Sequence, residues 1–115
     1  MLLSTMNDVP GREIEEVMGE VFGLTVRSRH AGSVIGAALK SLAGGELRGM
    51  TKALTESRQE AQQRLVDEAE KAGADAVLAV RFDASEIGSG WQEICAYGTA
   101  VRLAEMPTDR PQERR

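Results

Sequence analysis

Apolar and polar positions change their period several times along this chain, and each change marks an element. From Glu13 to Val26 the residues Ile14, Met18, Phe22, Leu24 and Val26 fall on one parity, while Glu13, Glu15, Val17, Val21 and Thr25 fall on the other. Period two predicts a strand. Glu16 and Glu20 interrupt its apolar parity, and Gly19 and Gly23 sit four apart on the other parity, as a bulge or a closely packed neighbour would require. From Leu47 the period lengthens: Leu47, Met50, Leu54, Ala61, Leu65, Ala69 and Ala72 recur at helical spacing up to Gly73, a C-terminal stop. This predicts a helix of about seven turns, roughly 40 Å long. Ahead of it, "SVIGAALKSLAGG" (Ser33 to Gly45) opens with a capping residue and closes with a glycine pair, which predicts a short helix.

The last third returns to strand. "ADAVLAVRFDASEI" (Ala74 to Ile87) starts as an unbroken apolar run, typical of a buried strand, and then alternates. After the turn "GSG", "WQEICAYGTAVRL" (Trp91 to Leu103) predicts the return strand of a hairpin. On it Trp91, Cys95, Tyr97, Val101 and Leu103 share one face. The other face narrows through Ala96, Gly98 and Ala100, a small-residue strip on which a helix or another backbone can lie close. Met1 to Thr5 is a brief apolar start, followed by the turn-prone "NDVPG" (Asn7 to Gly11).

With 115 residues, residues 1–104 form a single domain, and "EMPTDRPQERR" (105–115), with two prolines and almost nothing to bury, reads as a disordered polar tail. Aromatics are only 3% of the chain, so the core is thin and built from Val, Leu, Ile, Ala and Met. A formal charge of −4, with Lys and Arg interleaved among carboxylates, speaks against a nucleic-acid partner. No apolar run reaches the roughly 20 residues of a membrane span. "MLLSTM" has neither the basic start nor the length of a signal peptide, so no membrane partner and a cytoplasmic location are expected.

Candidate chemistry is sparse. A soft-metal site needs convergent thiolates and imidazoles, whereas the sequence has one cysteine, Cys95, and one histidine, His30, with no CxxC or HxxxH spacing. Symmetry between copies, or carboxylates such as Glu13, Glu15 and Glu16, would have to complete such a site. His30 reads as a surface residue and Cys95 as a small buried apolar one. Ser4, Ser28, Ser33 and Ser57 lack a nucleophile elbow, and "AGG" and "GSG" do not match a phosphate-binding loop. No catalytic, metal or cofactor-binding residues are assigned, and no cofactor is expected.

The segments "LLSTMNDVPG", "MGEVFGLTV", "LTESRQEA", "EKAGADAVLAVRFD" and "AYGTAV", with Gly44 and Gly45 before the long helix, together resemble the YbjQ-like family of small bacterial proteins, labelled as heavy-metal-binding. The resemblance covers roughly the first 100 residues. It implies an α+β fold, a small, curved, mainly antiparallel sheet packed against a short helix and one long helix, in a subunit of a ring oligomer, a homopentamer. It brings no established site residue. An overlong helix, a thin core and exposed strand edges point the same way from the pattern alone. Two functions follow as expectations. One is a non-enzymatic oligomeric scaffold or small-ligand-binding protein using the surfaces between subunits. The alternative is a metal-binding protein, or metal-dependent enzyme, with its site at a subunit interface.

Overall fold

The structure, a computed structural model, describes residues 1–28, 48–88 and 90–105. The short helix expected over Ser33 to Gly45, His30, and the tail beyond Glu105 lie outside the described residues. Strands β1 (Leu2–Leu3), β2 (Ile14–Ser28), β3 (Ala76–Ile87) and β4 (Trp91–Leu103) form one sheet in the order β1-β3-β4-β2, and helix α1 (Arg48–Lys71) lies on one face. The fold is α+β with a mixed sheet: β2 and β3 each pair antiparallel with β4, and β1 pairs parallel with β3. The strand, helix and hairpin expected from periodicity are all present, the return strand with the same bounds.

α1 buries a stripe in steps of four, Ser57, Ala61, Leu65 and Ala69. Against it the sheet presents Gly23 and Thr25 of β2, Ala96 and Ala100 of β4, and Val77 and Val80 of β3. Small residues set the helix-to-sheet distance. A Cβ on Gly23 would overlap the backbone of Ala61 and Leu65 and lie 2.8 Å from the Arg64 carbonyl carbon. Beside this contact the buried Thr25 hydroxyl donates to the Ser57 carbonyl at 3.4 Å, and at the far edge Arg58 stacks 4.9 Å from the centroid of Phe82. The apolar parity of β2, Phe22, Leu24 and Val26, therefore lies on the face away from the helix, because the helix requires the parity that carries Gly23. Leu54, expected in the buried stripe, is 41% exposed.

The unbroken apolar run of β3 is buried on both sides. Val77 and Val80 meet the helix, while Ala76 and Leu78 join Val101 and Leu103 in a second cluster on the opposite face, covered by Val9. The alternating half of β3 that follows is mostly exposed. Between the halves, the register with β4 slips by one residue after Leu78, and Ala79 takes a φ of +53°. This is a bulge. Gly98 of β4 lies opposite it: a Cβ there would stand 2.7 Å from Val77 Cγ1 and 2.8 Å from the Leu78 carbonyl oxygen. The small-residue strip thus serves both the helix, at Ala96 and Ala100, and a neighbouring backbone, at Gly98. The N-terminal segment holds the bulge from outside: the Ala79 amide donates to Met6 at 2.8 Å and the Val80 amide to Ser4 at 2.9 Å.

These contacts rank three substitutions. Gly98→Ala should lower the midpoint of chemical denaturation by an amount equivalent to about 1–3 kcal/mol, the usual cost of overpacking. Gly23→Ala should cost more, because its clash is with helix backbone, which cannot rotate away. Ala79→Gly should be neutral or stabilising by up to about 1 kcal/mol, since it removes the left-handed penalty of a Cβ. Urea titrations of the three variants measure the order directly.

Candidate functional site

Among the described residues, the face of the sheet opposite α1 is covered at one end only. Toward the start of β3 the Val9 segment closes it, but toward the β3–β4 turn it is open and apolar. Phe22 is 52% exposed, Trp91 53%, and Val26 and Ile87 are nearly as open. Register places Phe22 beside Tyr97, Leu24 beside Cys95 and Ser28 beside Trp91, and continues across β4 to Arg81, Asp83 and Ile87. The open end is therefore a contiguous three-strand surface. Charged residues are interleaved with the apolar ones: Glu93 lies between Val26 and Ser85, whose hydroxyl donates to it at 3.1 Å, Asp83 lies beside Cys95, and Glu20 stands next to Phe22 along β2.

Cys95 sits half-buried within this surface. Desolvation pushes its thiol above the ordinary value, and the carboxylates of Glu93, Asp83 and Glu20 push it further. Its Sγ lies 3.8 Å from the Ala96 carbonyl oxygen. A thiol in this setting stays protonated at neutral pH and is a weak nucleophile. It is not the buried apolar filler expected from the sequence, but a half-exposed member of an acidic, apolar surface.

Around the edge of β2 the open face continues into a cleft of about 540 Å³ between β2 and the second half of α1, lined by Glu20, Phe22, Arg64, Asp67, Glu68 and Lys71 among others. Arg64 reaches across it to donate to the Leu24 carbonyl at 2.5 Å, and it also pairs with Glu60 at 3.6 Å. Glu60 takes Arg27 as well, at 3.4 Å, while Lys71 pairs with Glu68 at 3.2 Å and Gln63 donates to Asp67 at 3.0 Å. These are surface pairs, each contributing about 1 kcal/mol or less. Three of these pairs, Glu60 with Arg64, Gln63 with Asp67 and Glu68 with Lys71, stand at helix spacing in the sequence; that Arg64 reaches an edge carbonyl depends on the approach at Gly23.

A second cleft, about 700 Å³, lies at the opposite end of the sheet among Arg12, Glu15, Asp75, Arg102 and Glu105. Its polar groups serve the chain itself. Arg12 donates twice to the Ala104 carbonyl, at 2.9 and 3.3 Å, and the Leu103 amide donates to Asp75 at 2.9 Å. Arg102 pairs with Glu15 at 3.3 Å and with Glu16, and these pairings raise its affinity for its proton. Two of the three carboxylates considered for a hard cation are thus committed to an arginine. Among the described residues, no three His, Cys, Asp or Glu side chains stand close enough to hold a metal ion. Ser57 is buried under the helix and Ser4 lies in the N-terminal turn, donating to the Asp8 carbonyl at 3.4 Å.

Fold and surface together define a small α+β domain, one helix on a four-stranded sheet, whose open apolar end carries no assembled catalytic set among the described residues. The chain belongs to the YbjQ-like family, described as "Putative heavy-metal-binding", which matches residues 1–104. It is 62% identical over 104 residues to a UPF0145 protein of Streptomyces coelicolor, covering 90% of this chain and 98% of that one. To UPF0145 proteins of Acidothermus cellulolyticus and Thermotoga petrophila it is 59% and 50% identical, covering 92% of this chain and 98% and 100% of theirs. Among solved structures it resembles a protein of unknown function of the DUF74 family from Pediococcus pentosaceus, with a TM-score of 0.61 at 14% identity over 90% of this chain and 98% of that chain. That likeness concerns the fold. Among the described residues no helix is long and apolar enough to cross a membrane.

The setting of Cys95 has a measurable consequence. A raised thiol value means less thiolate at pH 8 than in an unstructured peptide, so alkylation of the native protein should be several-fold slower than that of the urea-unfolded chain. The difference should narrow as the pH rises through the folded value. Alkylation followed by mass spectrometry, native against unfolded, provides the comparison.

Proposed function

We propose that this protein works as a subunit of a homo-oligomeric ring, of five chains as the family resemblance implies, and that its working surface lies between subunits. The reading is of a non-enzymatic scaffold or small-ligand-binding protein. The observation that carries it is the open end of the sheet, where Phe22, Val26, Ile87 and Trp91 are each about half exposed on one contiguous surface. Side chains of this size left in water forgo about 25 cal/mol for every Å² of apolar surface that association would bury. Leu54 of α1, also exposed, adds to the deficit.

A second reading has its own observation. Three carboxylates lie near enough to the Cys95 thiol to raise its proton affinity, and a surface of that charge attracts cations. In a closed assembly such surfaces from several copies converge, which favours a metal held between subunits with ligands from more than one chain.

Two measurements on untagged protein separate the readings. Light scattering at micromolar concentration should give a mass several times the 12.4 kDa of one chain, and a folded monomer would overturn the ring. Elemental analysis of the same sample should find no stoichiometric metal under the scaffold reading. A bound metal that is lost in Cys95→Ser would transfer support to the second.

A further inference from the structure

Among the described residues the sheet has two unpaired edges, and they are open at the same level. On one side β2 is the edge strand along its whole length. On the other, β1 and the N-terminal segment occupy the outer side of β3 only as far as Val80. From Arg81 to Ile87 no strand pairs there among the described residues. Register through β4 aligns Phe22 with Arg81, Leu24 with Asp83, Val26 with Ser85 and Ser28 with Ile87, so residues 22–28 and 81–87 lie directly across the sheet from one another.

Exposed edges are ordinarily protected by charge, proline or bulges. The first half of β2 has such protection: two register shifts, at Ile14/Glu16 and Val17/Gly19, and the carboxylates of Glu15, Glu16 and Glu20. The second half, "VFGLTV" (Val21 to Val26), has no charge, no proline and no register shift. Arg64 on the Leu24 carbonyl shows that Leu24 directs its backbone outward, and ladder groups alternate, so Phe22 and Val26 face the same way. Along this half the cover comes from the helix instead: Arg64 of α1 caps the Leu24 carbonyl, and a strand arriving at this edge displaces that side chain.

We infer that this half of β2, with Arg64 displaced from the Leu24 carbonyl, pairs with residues Arg81 to Ile87 of a second copy of this chain, continuing the sheet from one copy into the next. β2 and β3 both run antiparallel to β4, so the new pairing is parallel when the copies repeat by rotation without inversion. Charge agrees with this direction. An unshifted register sets no like charges level: Arg27, which its own chain's Glu60 already pairs, comes level with the neighbour's Glu86 on the helix side, and Glu20 lies diagonal to its Arg81 on the open side. A two-fold contact of β2 with β2 would instead leave both β3 edges unpaired. The contact proposed here is heterologous, each copy using a different edge toward each neighbour, and such contacts build closed rings or filaments. It rests on the assembly proposed above and specifies its interface.

Cross-linking tests the pairing separately from the assembly. In a Cys95→Ser background, Leu24→Cys with Asp83→Cys should, on mild oxidation, give a covalent ladder of dimers, trimers and higher species on a non-reducing gel. Either cysteine alone should leave single chains. A dimer from Leu24→Cys alone would overturn the inference in favour of two-fold pairing of β2. An oligomeric mass by light scattering without a ladder would overturn the edge pairing but leave the ring, and a monomeric mass would overturn both. Val26→Pro, which removes an outward amide at the edge, should lower the assembled mass while circular dichroism stays unchanged; an undiminished mass would count against the pairing.

Discussion

Everything in this fold is arranged around the contact of the α1 backbone with Gly23. The helix approaches so closely that no side chain fits between at this point, and beside it one large helix residue, Leu65, fills the layer together with alanines and with Val77, Val80 and Ile94 of the sheet. A thin core of this kind suits a chain with few aromatics. It also decides which parity of β2 faces inward, and hence that Phe22 and Val26 face out.

The open face and the open edge are therefore one consequence of a small interior. A larger layer between helix and sheet would have drawn in the bulky residues of β2 and left a polar outer surface. Here the bulky residues are displaced to the far side, where among the described residues only the Val9 segment covers part of the sheet. Among the described residues, half of the face opposite α1 and half of each sheet edge are left open at the same end of the molecule, next to the β3–β4 turn. This concentration of apolar surface and backbone left open among the described residues is the feature on which the proposed assembly rests.

Much of the fold was legible in sequence because its periods are clean: the helical stripe through Ala61, Leu65 and Ala69, the hairpin about "GSG", and the unbroken run opening β3. Gly19, Gly23 and Gly98 were legible as places of bulge or close approach, and each is one. Which neighbour approaches was not legible, since the helix at Gly23 and the bulge at Gly98 are contacts between elements far apart in sequence. Ala79 gave no signal at all, because alanine has no preference for the left-handed region it occupies. At the surface, parity grouped Phe22, Leu24 and Val26 correctly but could not say whether that group faces inward. Cys95 and Tyr97 were placed on one face by the same reasoning, while the cleft beside Arg64 depends on a helix position that no local pattern encodes.

The topology also orders the way this chain can come together. β3 and β4 are joined by a tight turn and can pair early, but β4 must wait for β2, whose pairing closes a loop through the whole helix, and β3 must wait for β1, which arrives from the opposite end of the chain. The bulge at Ala79 takes its outer hydrogen bonds from that late-arriving segment. Until Ser4 and Met6 dock, the left-handed turn of β3 lacks both of its outer hydrogen bonds, so a segment more than seventy residues away in sequence completes the strand's most irregular point.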